Sequence, residues 1–257
     1  MRIEVQRGTV HYVEHGSGRP VLILHGAGVD HREAEACFEP IFGPVSGLRR
    51  IYPDLPGMGH TPAPDTLRGA DDVLDLLLDF ADAVCGRAAP LLVGHSAGAY
   101  YARAMAGRRP GRTAGLALIC PLLPGTHSVP EHCPAIGSET LGDRIFQGYF
   151  VIHTPEMLER YERYVRPAAE LVDWSAMERI SQRWALTETN SVAYPGPTTI
   201  VAGRLDSTVG YAGAIDAAEH HPHATLAVLD NAGHALPHEQ PDLLAALLTE
   251  WLTRVDL

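Results

Sequence analysis

Apolar residues are spaced along this chain in two distinct rhythms. Alternating stretches at Ile3 to Val5 and Val10 to Val13, on either side of Arg7-Gly8, predict an antiparallel hairpin, and Gly16-Ser17-Gly18 turns the chain again. Next comes an unbroken apolar run, Val21-Leu22-Ile23-Leu24, of the kind a strand shows when both its faces are covered. The same signature recurs at Leu91 to Val93, Leu116 to Ile119, Thr199 to Val201 and Leu226 to Leu229. Helical spacing separates these runs. Val73, Leu76, Leu77, Phe80 and Val84 make one stripe between Asp71 and Val84, and Ala97 to Arg108 and Leu243 to Leu252 read as further helices. Strands alternating with helices predict an α/β fold, a doubly wound and mostly parallel sheet.

Residues 121–197 break that rhythm, with no convincing strand. A structureless loop of that length is improbable in a compact domain, so the segment is expected to be a helical lid inserted into a core formed by 1–120 and 198–257. Within it Leu158, Tyr161 and Val165 define one helical stripe. Trp174, Met177, Ile180 and Trp184 define another, with Ser175 and Glu178 as a capping box. Eight of the 17 aromatic residues fall between 121 and 195, most to pack the lid and a few to line an apolar pocket.

Composition narrows the function. The chain has 257 residues, 46% of them hydrophobic, and a formal charge of −11, which opposes nucleic-acid binding and favours small-molecule partners. All 20 basic residues are Arg, so Schiff-base and P-loop chemistry, both of which need Lys, are excluded. Cys37, Cys85, Cys120 and Cys133 form no C-x-x-C pair and suit reduced thiols, with a Cys120–Cys133 bridge as the alternative. The start of the chain lacks the apolar stretch of a signal peptide and no run approaches a membrane span, so a cytoplasmic protein, monomer or homodimer, is expected.

The candidate chemistry begins at Gly94-His95-Ser96-Ala97-Gly98, directly after a buried strand and opening a helix. A serine hydroxyl needs a base, and the base needs an orienting group. Asp206 in Gly203-Arg204-Leu205-Asp206 and His234 in Asn231-Ala232-Gly233-His234 each follow a later strand, in the order such a site requires. Asp230, only four residues before His234, and Asp216, in a predicted helix, are less suitable acids. His95 shares the serine's turn and His238 lies further past the strand end, so His234 is preferred as base. Backbone donors for an oxyanion would be Ala97 and, from His25-Gly26-Ala27-Gly28, Ala27. Gly26-x-Gly28 also begins like a dinucleotide fingerprint, but His31 stands where the third glycine belongs, and no cofactor is expected.

These segments, HGAG at 25–28, DLPGMGHT at 54–61, GHSAG at 94–98, GRLD at 203–206 and GHALPHEQP at 233–241, together resemble the α/β-hydrolase superfamily over nearly the whole chain except the lid. The resemblance implies Ser96 as nucleophile, His234 as base, Asp206 as its partner and Ala27 and Ala97 as oxyanion donors. Serine at the elbow departs from the haloalkane dehalogenases and epoxide hydrolases, which carry Asp there. Ala235 after the histidine departs from the C–C hydrolases, which usually have Trp.

An esterase acting on an ester, thioester or lactone is therefore the leading expectation. C–C hydrolysis of a dicarbonyl acid and a non-catalytic receptor are the alternatives. Tyr149, Trp174 and Trp184 are expected to touch substrate, with Arg179 and Arg183, one helical turn apart, gripping a carboxylate. His220, His221 and His223 fall at a helix end and are read as structural, so no metal is expected.

Overall fold

The computed structural model describes residues 1–125, 128–138, 140–187 and 194–255. Parts of the expected lid (126–127, 139 and 188–193) and of the core (256–257) lie outside the described residues. The chain runs β1 (Arg2–Val5), β2 (Gly8–Gly16), β3 (Arg19–Leu24), α1 (His31–Phe42), β4 (Leu48–Pro53), α2 (Ala70–Cys85), β5 (Leu91–His95), α3 (Ala97–Arg108) and β6 (Gly115–Ile119). After an intervening segment come β9 (Thr198–Gly203), α8 (Ala212–His220), β10 (Ala224–Leu229), α9 (Leu236–Glu239) and α10 (Pro241–Arg254). Eight strands form one sheet in the order β1-β2-β4-β3-β5-β6-β9-β10. The predicted hairpin β1–β2 is antiparallel, β2 pairs antiparallel with β4, and every later pairing is parallel.

The unbroken apolar runs have a direct cause. In β3 the alternate residues Val21 and Ile23 pack with Phe38 and Phe42 of α1 and Leu248 and Trp251 of α10. Leu22 and Leu24 point the other way, into a cluster with Leu77 and Phe80 of α2 and Ala102 and Met105 of α3. Both faces of the sheet are thus covered, as a doubly wound fold demands.

Strand β4 and helix α1 were not predicted. In β4, Arg49 and Arg50 interrupt the apolar pattern, but their guanidinium groups pair with Glu14 and Glu39, so the strand lies inside the sheet. In α1, Pro40 deprives the Ala36 carbonyl of its helical partner, and Arg160 donates to that oxygen instead at 3.4 Å.

Between β6 and β9 the chain leaves the sheet. Its helices are α4 (Arg144–Tyr149), α5 (Pro155–Arg160), α6 (Arg166–Ala169) and α7 (Trp174–Ser181), with a π-helical turn over Tyr161–Val165 joining α5 to α6. A two-residue parallel ladder, β7 (Ile136–Gly137) with β8 (Ile152–His153), also lies here, too short to leave a sequence pattern. The cap of α7 is Asp173, whose side chain accepts the Ala176 amide at 3.0 Å, rather than the Ser175 box expected; Ser175 instead donates to Asp173. Phe146, Phe150, Met157, Tyr161 and Val165 pack together and onto Val29 and Ala235, which lie in the loops after β3 and β10. Cys120 and Cys133 are both free thiols, so the alternative bridge is absent. Among the described residues, no helix is long and apolar enough to cross a membrane.

Candidate active site

The loops at the C-terminal ends of β3, β5, β9 and β10 bring four separate parts of the chain to one edge of the sheet, where open α/β folds gather ligands. Ser96 stands between β5 and α3 with φ 54° and ψ −117°, a conformation costing a non-glycine residue about 1–3 kcal/mol. Its backbone is held on both sides: the Ser96 amide donates to Ile119 at 2.9 Å, and its carbonyl accepts from Tyr100 at 3.1 Å and Leu122 at 3.3 Å. The flanking glycines are sterically required. A Cβ on Gly94 would lie 2.4 Å from the Gly98 backbone, and one on Gly98 would lie 2.2 Å from the Leu24 carbonyl oxygen.

Ser96 Oγ lies 2.9 Å from His234 Nε2, and His234 Nδ1 lies 2.8 Å from Asp206 Oδ2. All three side chains are buried. The other Asp206 oxygen accepts the amides of Thr208 at 2.9 Å and Val209 at 3.0 Å. Burial by itself would raise the Asp206 carboxyl, but the His234 ring and these two amides outweigh it and hold the group below its usual range. An ionised carboxylate can only accept, so the Nδ1 of His234 donates to Asp206, and in the neutral ring Nε2 is then the atom able to accept from the Ser96 hydroxyl. That geometry can take a proton from the serine as it attacks and return it to a leaving group.

Other histidines nearby are occupied elsewhere. His95, beside the serine, bonds through Nε2 to the His234 carbonyl at 2.9 Å, and burial, with help from the His234 ring, lowers it to about 4. It is therefore neutral near pH 7 and donates to that carbonyl. His95, Cys120 and His234 are close enough to suggest a metal, yet both nitrogens of His234 are already engaged in hydrogen bonds. His238 is buried between Arg160, which donates to its Nδ1 at 3.0 Å, and Glu33, which accepts from its Nε2 at 3.1 Å.

Glu33 also accepts the Tyr149 hydroxyl at 2.8 Å, and the Tyr149 ring stands edge-on to His234 with centroids 6.0 Å apart. Burial works against the Glu33 carboxylate, but His238 and Tyr149 hold it down at about 2. Arg160, His238, Glu33 and Tyr149 thus form one polar chain that pins α4 and α5 to the core beside His234.

Ala97 opens α3 directly after Ser96. Ala27 follows Gly26, where a Cβ would lie 3.4 Å from the Ser96 Cβ, so the two expected oxyanion donors belong to segments flanking the serine. Of the residues expected to touch substrate, Tyr149 stands against His234. Trp174 is 65% exposed, and Trp184, 45% exposed, lies over Tyr100. Arg179 donates to the carbonyls of Ala63 at 2.8 Å, Leu67 at 3.2 Å and Pro64 at 3.3 Å, and so binds the inserted segment to the core. The Arg183 carbonyl accepts the Ala70 amide at 2.9 Å at the start of α2. Glu33, Glu239 and Asp54 went unassigned in the sequence because their partners are distant in the chain. Glu239 and Asp54 sit within the segments GHALPHEQP and DLPGMGHT, the one local signal that marks them.

The sequence model of the alpha/beta hydrolase family matches residues 21–247. The chain is 25% identical to a 2-hydroxymuconate semialdehyde hydrolase of Pseudomonas putida, over 95% of this chain and 90% of that protein. It is also 25% identical to a pimeloyl-[acyl-carrier protein] methyl ester esterase of Shewanella woodyi, over 96% and 98%. Among solved structures, an alpha/beta superfamily hydrolase from Oenococcus oeni superposes with a TM-score of 0.91 over 100% of both chains at 24% identity.

Proposed function

The chain belongs to the alpha/beta hydrolase family, and from that premise we propose that it is a serine hydrolase cleaving a carboxylic ester-like bond (ester, thioester or lactone) of a small organic molecule. The observation that carries this reading is the continuous path from Asp206 through His234 to Ser96, at 2.8 and 2.9 Å. Ser96 Oγ attacks the carbonyl carbon while His234 Nε2 takes its proton. The tetrahedral oxyanion is held by the amides of Ala27 and Ala97, each such donor typically contributing ~10²- to 10³-fold in rate. The same imidazole, now protonated, gives its proton to the leaving alkoxide or thiolate, and an acyl-enzyme remains. Water then attacks the acyl carbon as His234 again accepts a proton, and the imidazolium returns it to Ser96 Oγ as the serine leaves and the acid is released. Residues 121–197 act as the lid that excludes solvent and presents Tyr149 to the acyl or leaving group.

C–C hydrolysis of a dicarbonyl acid is the second reading, favoured by the likeness to the 2-hydroxymuconate semialdehyde hydrolase of Pseudomonas putida. The contacts of Arg179 with three core carbonyls count against its service as a carboxylate clamp, which leaves the ester reading ahead. The test is hydrolysis of p-nitrophenyl esters of graded acyl length by wild type and Ser96→Ala, with a fluorophosphonate label read by intact mass. Labelling and turnover that both vanish in Ser96→Ala are expected, the rate falling roughly 10⁴-fold or more. A folded wild type that neither labels nor turns over would overturn the proposal in favour of a receptor. Cleavage of vinylogous diketo acids but no ester would replace it with the C–C reading.

A further inference from the structure

The sequence presents His220, His221 and His223 as its visible histidine cluster, but in the fold His220 and His221 bond through Nδ1 to backbone carbonyls of their own helix. A different cluster is assembled from three separate segments. Asp54, just after β4, is completely buried. One of its oxygens accepts the His31 amide at 2.9 Å and His31 Nδ1 at 2.7 Å, and the other accepts the His60 amide at 2.9 Å and His11 Nδ1 at 2.8 Å. His11 lies on β2 and His31 opens α1. The His60 ring completes a triangle, with centroids 5.0 Å from His11 and 6.4 Å from His31, while His11 and His31 are 5.1 Å apart.

The arrangement exceeds what a buried carboxylate needs. Two backbone amides already fix Asp54, and one imidazolium would suffice to balance its charge. The loop has closed so tightly over the carboxylate that a Cβ on Gly59 would lie 2.4 Å from the Asp54 Cγ, and Gly59 adopts φ 55° to allow it. His60 is exposed and His11 partly so, which leaves a way in from solvent. Candidate ligand atoms of His11, His31 and Asp54 all lie within 4.8 Å of one another. Nitrogen and oxygen ligands of a tetrahedral zinc at about 2.0–2.2 Å stand roughly 3.3–3.5 Å apart, so the His11 and His31 rings, now hydrogen-bonded to Asp54 at 2.8 and 2.7 Å, would swing outward from the carboxylate by less than about 1 Å to admit the ion.

We propose that His11, His31 and Asp54, with His60 at the rim, bind a single divalent transition-metal ion of the zinc, nickel or copper class. Two imidazoles and one carboxylate are the donor set such ions prefer, whereas magnesium and calcium favour all-oxygen sites. On binding, the ion takes one ring-nitrogen lone pair from each histidine, whose remaining proton then sits on the other ring nitrogen, and the second proton of any charged ring leaves to solvent. The two backbone amides remain on the carboxylate and orient it, the outer support that metal ligands require. The formal charge of −11 favours cation capture. A bound ion would fasten β2, the start of α1 and the 54–60 loop together, next to the 25–30 loop that carries Ala27.

The proposal does not depend on the hydrolase reading, and its test does not use activity. Chelator-treated protein is titrated with zinc chloride by calorimetry, and bound zinc per chain is counted by elemental mass spectrometry after gel filtration. One zinc per chain is expected in wild type, with affinity reduced at least tenfold in His11→Gln and in His31→Gln and unchanged in His223→Ala. In parallel, diethyl pyrocarbonate modification of wild type is mapped by peptide mass, with zinc expected to protect His11 and His60 but not the exposed His132. This second arm needs no variant to fold. No stoichiometric binding, undiminished affinity in both His-to-Gln variants, or equal labelling with and without zinc would each overturn the proposal.

Discussion

One oxygen of the buried Glu239 accepts the amide hydrogen of Gly233 at 2.7 Å, immediately before His234 in the chain. The other accepts Val151 at 2.6 Å and Ile152 at 3.1 Å, so a single carboxylate fastens the histidine loop to the inserted segment. Burial raises this carboxyl despite its three amide donors. Glu239→Gln puts an amide NH₂ where an acceptor is needed and leaves at least one buried N–H without a partner. We expect urea unfolding to show a loss of about 2 kcal/mol, with turnover reduced because His234 loses its support. Unchanged stability and turnover would mean that the loop is held by packing alone.

Asp206→Asn separates orientation from nucleophilicity. The asparagine oxygen can keep the Thr208 and Val209 amides, so the fold is preserved, but its NH₂ then faces His234 Nδ1 and moves the ring proton to Nε2. Turnover is predicted to fall ~10³- to 10⁴-fold, with the melting temperature little changed. A loss below tenfold in ester hydrolysis would show that another group orients the imidazole.

Steric room distinguishes the glycines. Gly94→Ala and Gly98→Ala drive a methyl group to 2.4 and 2.2 Å from backbone atoms, and both variants should be poorly folded and inactive. Gly148, inside α4, has nothing within 4 Å of a new Cβ. Gly148→Ala is therefore expected to stabilise the protein by about 0.5–1 kcal/mol, by removing unfolded-state freedom. Thermal melts of the three variants side by side test the contrast.

Much of this architecture was legible because burial on both faces of a strand writes itself as an unbroken apolar run, and because the serine turn tolerates only glycine on either side. Strand β4 stayed hidden since Arg49 and Arg50 satisfy their charge through Glu14 and Glu39, contacts that no local pattern reports. Helix α1 was concealed by Pro40, whose orphaned carbonyl partner is met by Arg160 from more than a hundred residues away. The chain from Arg160 to Tyr149 and the cluster around Asp54 were illegible for the same reason, since each joins segments that meet only in the folded chain. Spacing on a helix likewise says nothing of what lies opposite, and the carbonyls of Ala63, Pro64 and Leu67 that meet Arg179 could not be read from it.

His95 makes a prediction about pH. Burial holds its folded pKa at about 4, against 6.5 unfolded, so between these values the unfolded chain takes up a proton that the folded one refuses. The contribution of His95 is therefore fully present above pH 6.5 and is lost as pH falls toward 4, by roughly 3 kcal/mol. His11, His25, His132 and His221 are lowered as well, so the measurement is the difference between wild type and His95→Asn. Urea unfolding from pH 7 to 4 should show the shallower decline in the variant. Parallel curves would place the His95 ring in contact with solvent.

Arg179 discriminates between the two hydrolase readings. Its guanidinium donates to Ala63, Pro64 and Leu67 and stands 3.3 Å from the exposed Asp65, so its removal should loosen the attachment of α7 to the core without removing a substrate contact. For Arg179→Ala we expect faster proteolysis between β6 and β9 and a KM raised alike for neutral and carboxylate-bearing esters, their ratio changing less than about threefold. A clamp on a substrate carboxylate would behave otherwise: losing a charge-assisted bidentate bond costs about 1.5–3 kcal/mol, or roughly 10- to 150-fold, and only for the anionic substrate. A selective collapse of that size would return Arg179 to the binding site and favour C–C hydrolysis of an acid. A uniform effect leaves the arginine as a strap and the ester reading in place.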